Sequence, residues 1–340
     1  TATTITEGYS LDRWEFVEDT DGSATVAQTA TVPTGKGFAK SLDVQVTGTD
    51  SSIAASQDVR IVQKFEGQDL QVLKYGTSDA EKVTLSFHVK SSTTGTYSAT
   101  LRHTNTSGTA YVNSLTFSIS SANTWEQKVL VFNGNTAQDI RNTNTEGLRL
   151  EIYLAVGSNF TSGGGANANS WTTGDTNRAS ASNVNLMTST DNDFFLTGVQ
   201  LEVGEFSSTT LPPFQHESFG DNLARCYRYY YKLIPASGFR YAAFGQVDND
   251  DNVIVGVTWF KTHMRAAPSA LEQSGTASHY KVREATTVTC DAVPTFGNAD
   301  TWYAATSFKK DGITSSNGFA QGELLKVGIE GGYLAWSAEL

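Results

Sequence analysis

The sequence predicts an all-β protein: an N-terminal jelly-roll β-sandwich, a short linking helix and a second, smaller antiparallel β domain. Three observations carry this prediction. Apolar residues recur at every second position over much of the chain. Charged residues are only 17% of the 340, with Gly, Ser, Thr and Asn filling the intervals, which is the balance of a turn-rich β protein. No helical period of useful length precedes residue 217, where a proline-broken segment divides the molecule.

Alternation marks strands at Leu42, Val44 and Val46; at Val83, Leu85, Phe87 and Val89; and at Leu115, Phe117 and Ile119. It continues at Val129 and Val131, and at Leu148, Leu150, Ile152 and Leu154. Asp21-Gly22, Thr94-Gly95, Ser107-Gly108 and Asn133-Gly134 are the turn pairs between them. Residues 1–212 therefore read as the sandwich. Its last strand alternates through Phe195, Thr197, Val199, Leu201 and Val203, predicting that this set is the buried face.

Pro212 and Pro213 end that ladder because neither donates a backbone hydrogen bond. Residues 213–230 form the linker and helix, with Asp221 as N-cap and Leu223, Cys226, Tyr227 and Tyr230 on one face. Residues 231–340 make the second unit, with short strands expected at 229–234, 240–244, 253–260, 287–293, 302–308, 324–330 and 333–337. Asp311-Gly312, Asn317-Gly318 and the acidic run 248–252 suit hairpin tips. That run lacks the central Gly and final Glu of an EF-hand loop, so a solvated turn is expected there rather than calcium.

A net charge of −11 and the absence of a basic cluster argue against nucleic acid, whose binding depends on Lys and Arg displacing counterions. The segment RCYRYYYK interleaves aromatics with cations, but at the helix-to-strand seam it reads as packed structure with Arg heads at the surface. No stretch of about 18 apolar residues exists, so no membrane insertion is expected. Cys226 and Cys290 are too few for a disulfide framework and are expected to be reduced and buried.

One region breaks the strand rhythm: 157–192, rich in Gly, Ser, Thr and Asn around Trp171. The indole suits a sugar ring, whose C–H face packs on an aromatic plane while Asn167 and Asn169 bond its hydroxyls. It also suits a pin holding the loop to the sandwich, and that reading is preferred. Trp14, in YSLDRWEF, reads as core and Trp125 as the closure of a sandwich end, with the lining of a groove open to either.

The run TGVQLEVG, then PPFQHESFGD, then LARCYRYY, resembles the seam of many tailed-phage fibre and spike proteins. There an N-terminal jelly roll similar to carbohydrate-binding modules meets a C-terminal β-rich tip. YSLDRWEF, IVQKFEG, VTLSFHVKSS, the Trp171 loop, HMRAAPS and YLAWSAEL follow the order of such proteins, so the resemblance spans nearly the whole chain. It implies a virion protein of the particle surface or tail that attaches to bacterial surface polysaccharide. It also implies assembly with itself as a homotrimer and contact with other virion proteins. Modules of this shape often hold calcium through an aspartate on the last strand; Thr197 and Gly198 stand on the matching strand here, so no metal and no cofactor are expected.

Catalysis finds little footing. His88, His103, His216, His263 and His279 are scattered, and neither a GxSxG elbow nor a phosphate loop occurs. Glu151 and Glu202, each on a strand, are possible partners for glycoside cleavage. The expectation is a non-catalytic attachment protein; a structural virion component and a polysaccharide depolymerase are the alternatives.

Overall fold

The computed structural model describes residues 6–9, 11, 13–248, 253–283, 286–311, 319–327 and 331–340. They form two compact units, Thr1–Gln215 with Leu340, and His216–Glu339. The acidic run at 249–252 and the Asn317-Gly318 turn lie outside the described residues.

The first unit is built of strands in chain order β1 (Gly8–Tyr9), β2 (Trp14–Glu18), β3 (Ser23–Thr29), β4 (Ser41–Gly48), β5 (Asp58–Glu66) and β6 (Val83–Ser91). They continue as β7 (Gly95–Thr104), β8 (Ala110–Ile119), β9 (Glu126–Phe132), β10 (Glu146–Val156), β11 (Thr172–Thr173) and β12 (Asp193–Val203). Two antiparallel sheets result, in the orders β1-β2-β5-β10-β7-β8-β11 and β3-β4-β12-β6-β9. Their inner faces share one core that includes Phe16, Ile61, Leu85, Phe87, Tyr97, Leu101, Ile152 and Phe194. A mainly antiparallel two-sheet sandwich is the predicted fold class.

Strand β7 carries no clean alternation in the sequence because the structure covers its outer face. Ser98 and Thr100 of β7 point away from the core yet are buried. Residues of the 157–192 loop lie over them: Thr100 Oγ1 donates to the Arg178 carbonyl at 2.5 Å, and Ser180 N donates to Ser98 Oγ at 3.0 Å. The other sheet is coated too. Thr84, Ser86 and His88 face outward from β6 but are buried beneath the segments 30–40 and 204–214, with Phe38 5.4 Å from the His88 ring and 5.0 Å from Phe214.

The buried face of β12 differs from the one read in the sequence. Phe194 and Leu196 point into the core, then Val199 and Leu201 do. Between Thr197 and Gln200 the register against β6 slips, a β-bulge whose Gly198 sits at φ +61°. The extra residue inverts the phase of the strand, so a single alternating set cannot describe both halves.

In the second unit, helix α1 (Phe219–Tyr229) is capped by Ser218, not Asp221. Ser218 Oγ accepts from Asp221 N at 3.2 Å and donates to the Asp221 carboxylate at 2.6 Å, so Asp221 is the third helical residue of a reciprocal cap. Tyr230 lies past the helix end, and the buried helical residue is Tyr229. The helix belongs with this unit: Tyr227 packs against its core, and Ala338 N donates to the Tyr229 carbonyl at 2.7 Å.

Strands β13 (Tyr230–Leu233), β14 (Phe239–Asp248), β15 (Val253–Trp259), β16 (Glu272–Gln273) and β17 (Tyr280–Arg283) follow. The unit ends with β18 (Thr287–Thr289), β19 (Thr295–Ala299), β20 (Tyr303–Lys309), β21 (Phe319–Leu325) and β22 (Leu334–Ser337). They pair as β13-β22-β16 and β18-β17-β21-β14-β15-β20-β19 around Tyr231, Tyr280, Phe308 and Trp336. Both cysteines are free; Cys290 is buried, whereas Cys226 is only half-buried.

Candidate functional site

The Trp171 loop is a clasp. Asn167 and Asn169 adopt φ +71° and +51°, a left-handed geometry that Asn tolerates better than most residues. Asn167 Oδ1 accepts from Thr116 N at 2.7 Å, and Asn169 Oδ1 accepts from Asn133 N at 2.8 Å. Asn169 Nδ2 donates to the Val131 carbonyl at 3.0 Å, and Trp171 Nε1 donates to that of Asn133 at 2.8 Å. The indole lies edge-on to His103 at 4.7 Å and to Tyr75 at 5.5 Å. The structure brings the three predicted residues together, with these polar atoms engaged by the protein itself.

His103 sits at the base of this clasp, fully buried. Its Nε2 accepts from the Asn135 amide at 2.8 Å, which leaves the proton on Nδ1. Burial pushes the imidazole down to about 4, with Asp139 opposing weakly, so the ring stays neutral near pH 7.

The opposite polar feature is a buried charge network on the outer face of β10. Glu151 is fully buried; its carboxylate meets Arg178 at 2.9 Å, Arg149 at 3.6 Å and Arg60 at 3.7 Å, and accepts from Tyr153 OH at 2.8 Å. Burial by itself raises such a carboxyl, but Arg178, Arg60 and Arg149 outweigh it and hold the group below the usual carboxylate range. Arg178 also spans the rings of Tyr153 and Phe160 at 5.7 and 5.0 Å, tying the loop to the sheet. Glu202 is on β12 of the other sheet and faces away from the core, where it accepts from Gln200 at 2.8 Å. The two glutamates stand on opposite outer faces, so they do not form a glycosidase pair.

One open site is a crevice of about 460 Å³ between the two sheets. It exists because β4 starts at Ser41 and pairs with β12 only from Asp193 to Leu196, while β12 runs on to Val203. Trp14 and Leu150, both opposite Gln63 across the ladder, share one wall with Phe65. Leu196, Val199 and Leu201 form the facing wall, and Arg13, Gln28, Lys40 and Phe214 stand around it. Gln63 is 7% exposed, and its Nε2 has no hydrogen-bond partner among the described residues. Among the described residues no carboxylate, imidazole or thiol lines the crevice.

Trp14, which the sequence places in the core, is half-buried against that core with the crevice beside it. Gln63 and Phe65 lie in IVQKFEG, but nothing in that run shows that β4 stops short above it. Among the described residues no group of three His, Cys, Asp or Glu side chains is placed to hold a metal. Thr197 Oγ1 donates to the Lys40 carbonyl at 2.8 Å and Gly198 has no side chain, a donor set that does not fit calcium on β12.

No family profile matches the chain, and no curated protein sequence does. Among solved structures it is similar to the enzymatically active domain of tailspike protein 4 of bacteriophage CBA120, at TM-score 0.34 and 14% identity, over 57% of this chain and 20% of that one. It is similar to the family 11 carbohydrate-binding module of a Clostridium thermocellum cellulosomal cellulase, at TM-score 0.30 and 11% identity, over 60% of this chain and 94% of that one. A third likeness is to the C-terminal family 22 carbohydrate-binding module of Clostridium thermocellum Xyn10B, at TM-score 0.31 and 12% identity, over 61% and 94%. The activities in those names belong to those proteins.

Proposed function

We propose that this chain is a non-catalytic glycan-attachment protein of a phage particle, and that the crevice of its first unit seats a sugar of a bacterial surface polysaccharide. Gln63 is the observation that carries the reading. A buried amide donor left unpaired costs about 1–3 kcal/mol, and a ligand oxygen recovers it. Trp14, Phe65 and Phe214 offer apolar faces to a pyranose, and Arg13 and Lys40 give the lining a basic character suited to an acidic sugar. The seam motif at TGVQLEVG supports a fibre or spike subunit, working as a homotrimer beside other virion proteins, in which repeated weak sites gain avidity.

The test uses the full chain and a panel of purified capsular and lipopolysaccharide-derived polysaccharides in isothermal titration. Trp14→Ala and Gln63→Leu are expected to weaken binding at least tenfold, Gln63→Leu without loss of thermal stability, whereas Trp171→Ala lowers the melting temperature and leaves binding in place. Release of reducing sugar assigns a depolymerase instead. Absence of binding leaves a structural virion component, and sedimentation as a monomer at micromolar concentration removes the homotrimer.

A further inference from the structure

The crevice of the first unit holds a polar group where its strand calls for an apolar one. Val59 and Ile61 of β5 point into the core, and two-residue alternation turns Gln63 and Phe65 the same way. Gln63 therefore faces the gap between the sheets. Of its two amide atoms, Nε2 alone is both shielded from solvent and without a partner among the described residues, so the edge that carries Oε1 is the one that meets the crevice. A half-turn about the last side-chain bond exchanges the two atoms, and the amide then presents a donor there instead of an acceptor.

The surroundings of this amide are hydrocarbon. Leu150 and Trp14 flank it, each opposite Gln63 on a neighbouring strand, and Leu42, Leu196, Val199 and Leu201 close round it from the other sheet. The two hydroxyls of the lining are engaged within the protein. Ser41 Oγ donates to the Thr31 carbonyl at 2.6 Å, and Thr197 Oγ1 to that of Lys40 at 2.8 Å.

This composition discriminates among the groups that a sugar can insert. A row of ring hydroxyls pressed against leucines loses its water and finds a single amide edge to bond, which leaves the remaining hydroxyls unsatisfied. An acetamido substituent fits better. Its N–H or its carbonyl bonds the Gln63 amide, its other polar atom turns to the mouth, and its methyl packs on the leucines. At about 460 Å³ the crevice is within the size range of small-ligand sites.

We infer that the crevice selects N-acetylated amino sugars, with the acetamido group as the part that enters and Gln63 as the residue that reads it. The ligand class rests on the attachment reading above. The test takes each polysaccharide of the titration panel that binds the full chain and prepares it in native, N-deacetylated, re-N-acetylated and N-formylated forms. Deacetylation is expected to weaken binding about tenfold or more, the size of one hydrogen bond with a seated methyl, and re-N-acetylation to restore it. N-formylation returns a neutral amide without the methyl, so it restores binding only in part and separates the methyl from the ammonium charge that deacetylation leaves. In Gln63→Leu the affinities for native and deacetylated forms converge to within about twofold. Binding by polysaccharides that contain no N-acetyl group, or equal binding before and after deacetylation, overturns the acetamido assignment and leaves the crevice reading standing. So does a preference for the acetylated form that persists undiminished in Gln63→Leu, since the group is then read elsewhere. If no polysaccharide of the panel binds, the attachment reading and the ligand class fall together.

Discussion

Glu151→Gln is expected to destabilise the first unit by roughly 3 kcal/mol, near the lower end of the range for breaking one side of a buried ion pair. The carboxylate receives Arg178 Nη2 at 2.9 Å and Tyr153 OH at 2.8 Å, with Arg149 and Arg60 within 3.7 Å. A glutamine keeps one acceptor but puts an NH2 group against Tyr153 OH or Arg178, and it removes the charge that three guanidinia face. Asp58 still pairs with Arg60 and Glu146 with Arg149, which is why the loss stays at the lower end. In a unit of this size 1 kcal/mol moves the melting temperature by ~2–4 °C, so a fall of roughly 6–12 °C is expected. Calorimetry and denaturant titration followed by tryptophan fluorescence measure it. Replacing both partners, Glu151→Leu with Arg178→Leu, is expected to recover most of the loss, because no charge is then left buried alone. A Glu151→Gln change below 0.5 kcal/mol, or a double variant as unstable as the sum of the singles, refutes the coupling of loop to sheet through this carboxylate.

Two further outcomes follow from the same interior. With its folded pKa depressed to about 4, His103 favours the native state fully above its unfolded value near 6.5 and progressively less as pH falls toward 4; the amplitude is about 3 kcal/mol. A melting-temperature profile from pH 7 to 4 shows this slope in the native protein, and His103→Gln flattens it. Gly198→Ala combines left-handed strain with a Cβ 2.4 Å from Phe38 Cζ and is expected to cost roughly 2–4 kcal/mol. Gly164→Ala, at φ +65° with open space around it, bears the strain alone, so equal denaturation midpoints for the two variants disprove the role given to Phe38.

Much of the sandwich was legible because one face of β4, β6, β8 and β10 is apolar at period two. Strand β7 escaped because both its faces are covered: it reads GTYSATLRHT, and its buried Ser98 and Thr100 are polar because the Arg178 segment bonds them. The bulge at Gly198 was hidden for a related reason, since either phase of FFLTGVQLEV supplies apolar residues and only the register against β6 chooses between them. Ser218 and Asp221 both suit a cap, and helix geometry decides which one occupies it. Trp171 with Asn167 and Asn169 was visible as a cluster, but their partners Asn133, Val131 and Thr116 come from β8, β9 and the turn beyond.

The order of apolar and hydroxyl-bearing residues was enough by itself to determine an all-β chain, because strand pairing imposes a two-residue rhythm that any buried sheet face must write into its sequence. Where a strand ends relative to its neighbour has no such signature. The crevice depends on β4 beginning at Ser41 while β12 continues past it. That is a gap in contact between segments far apart along the chain, and only the tertiary structure decides where such a gap falls.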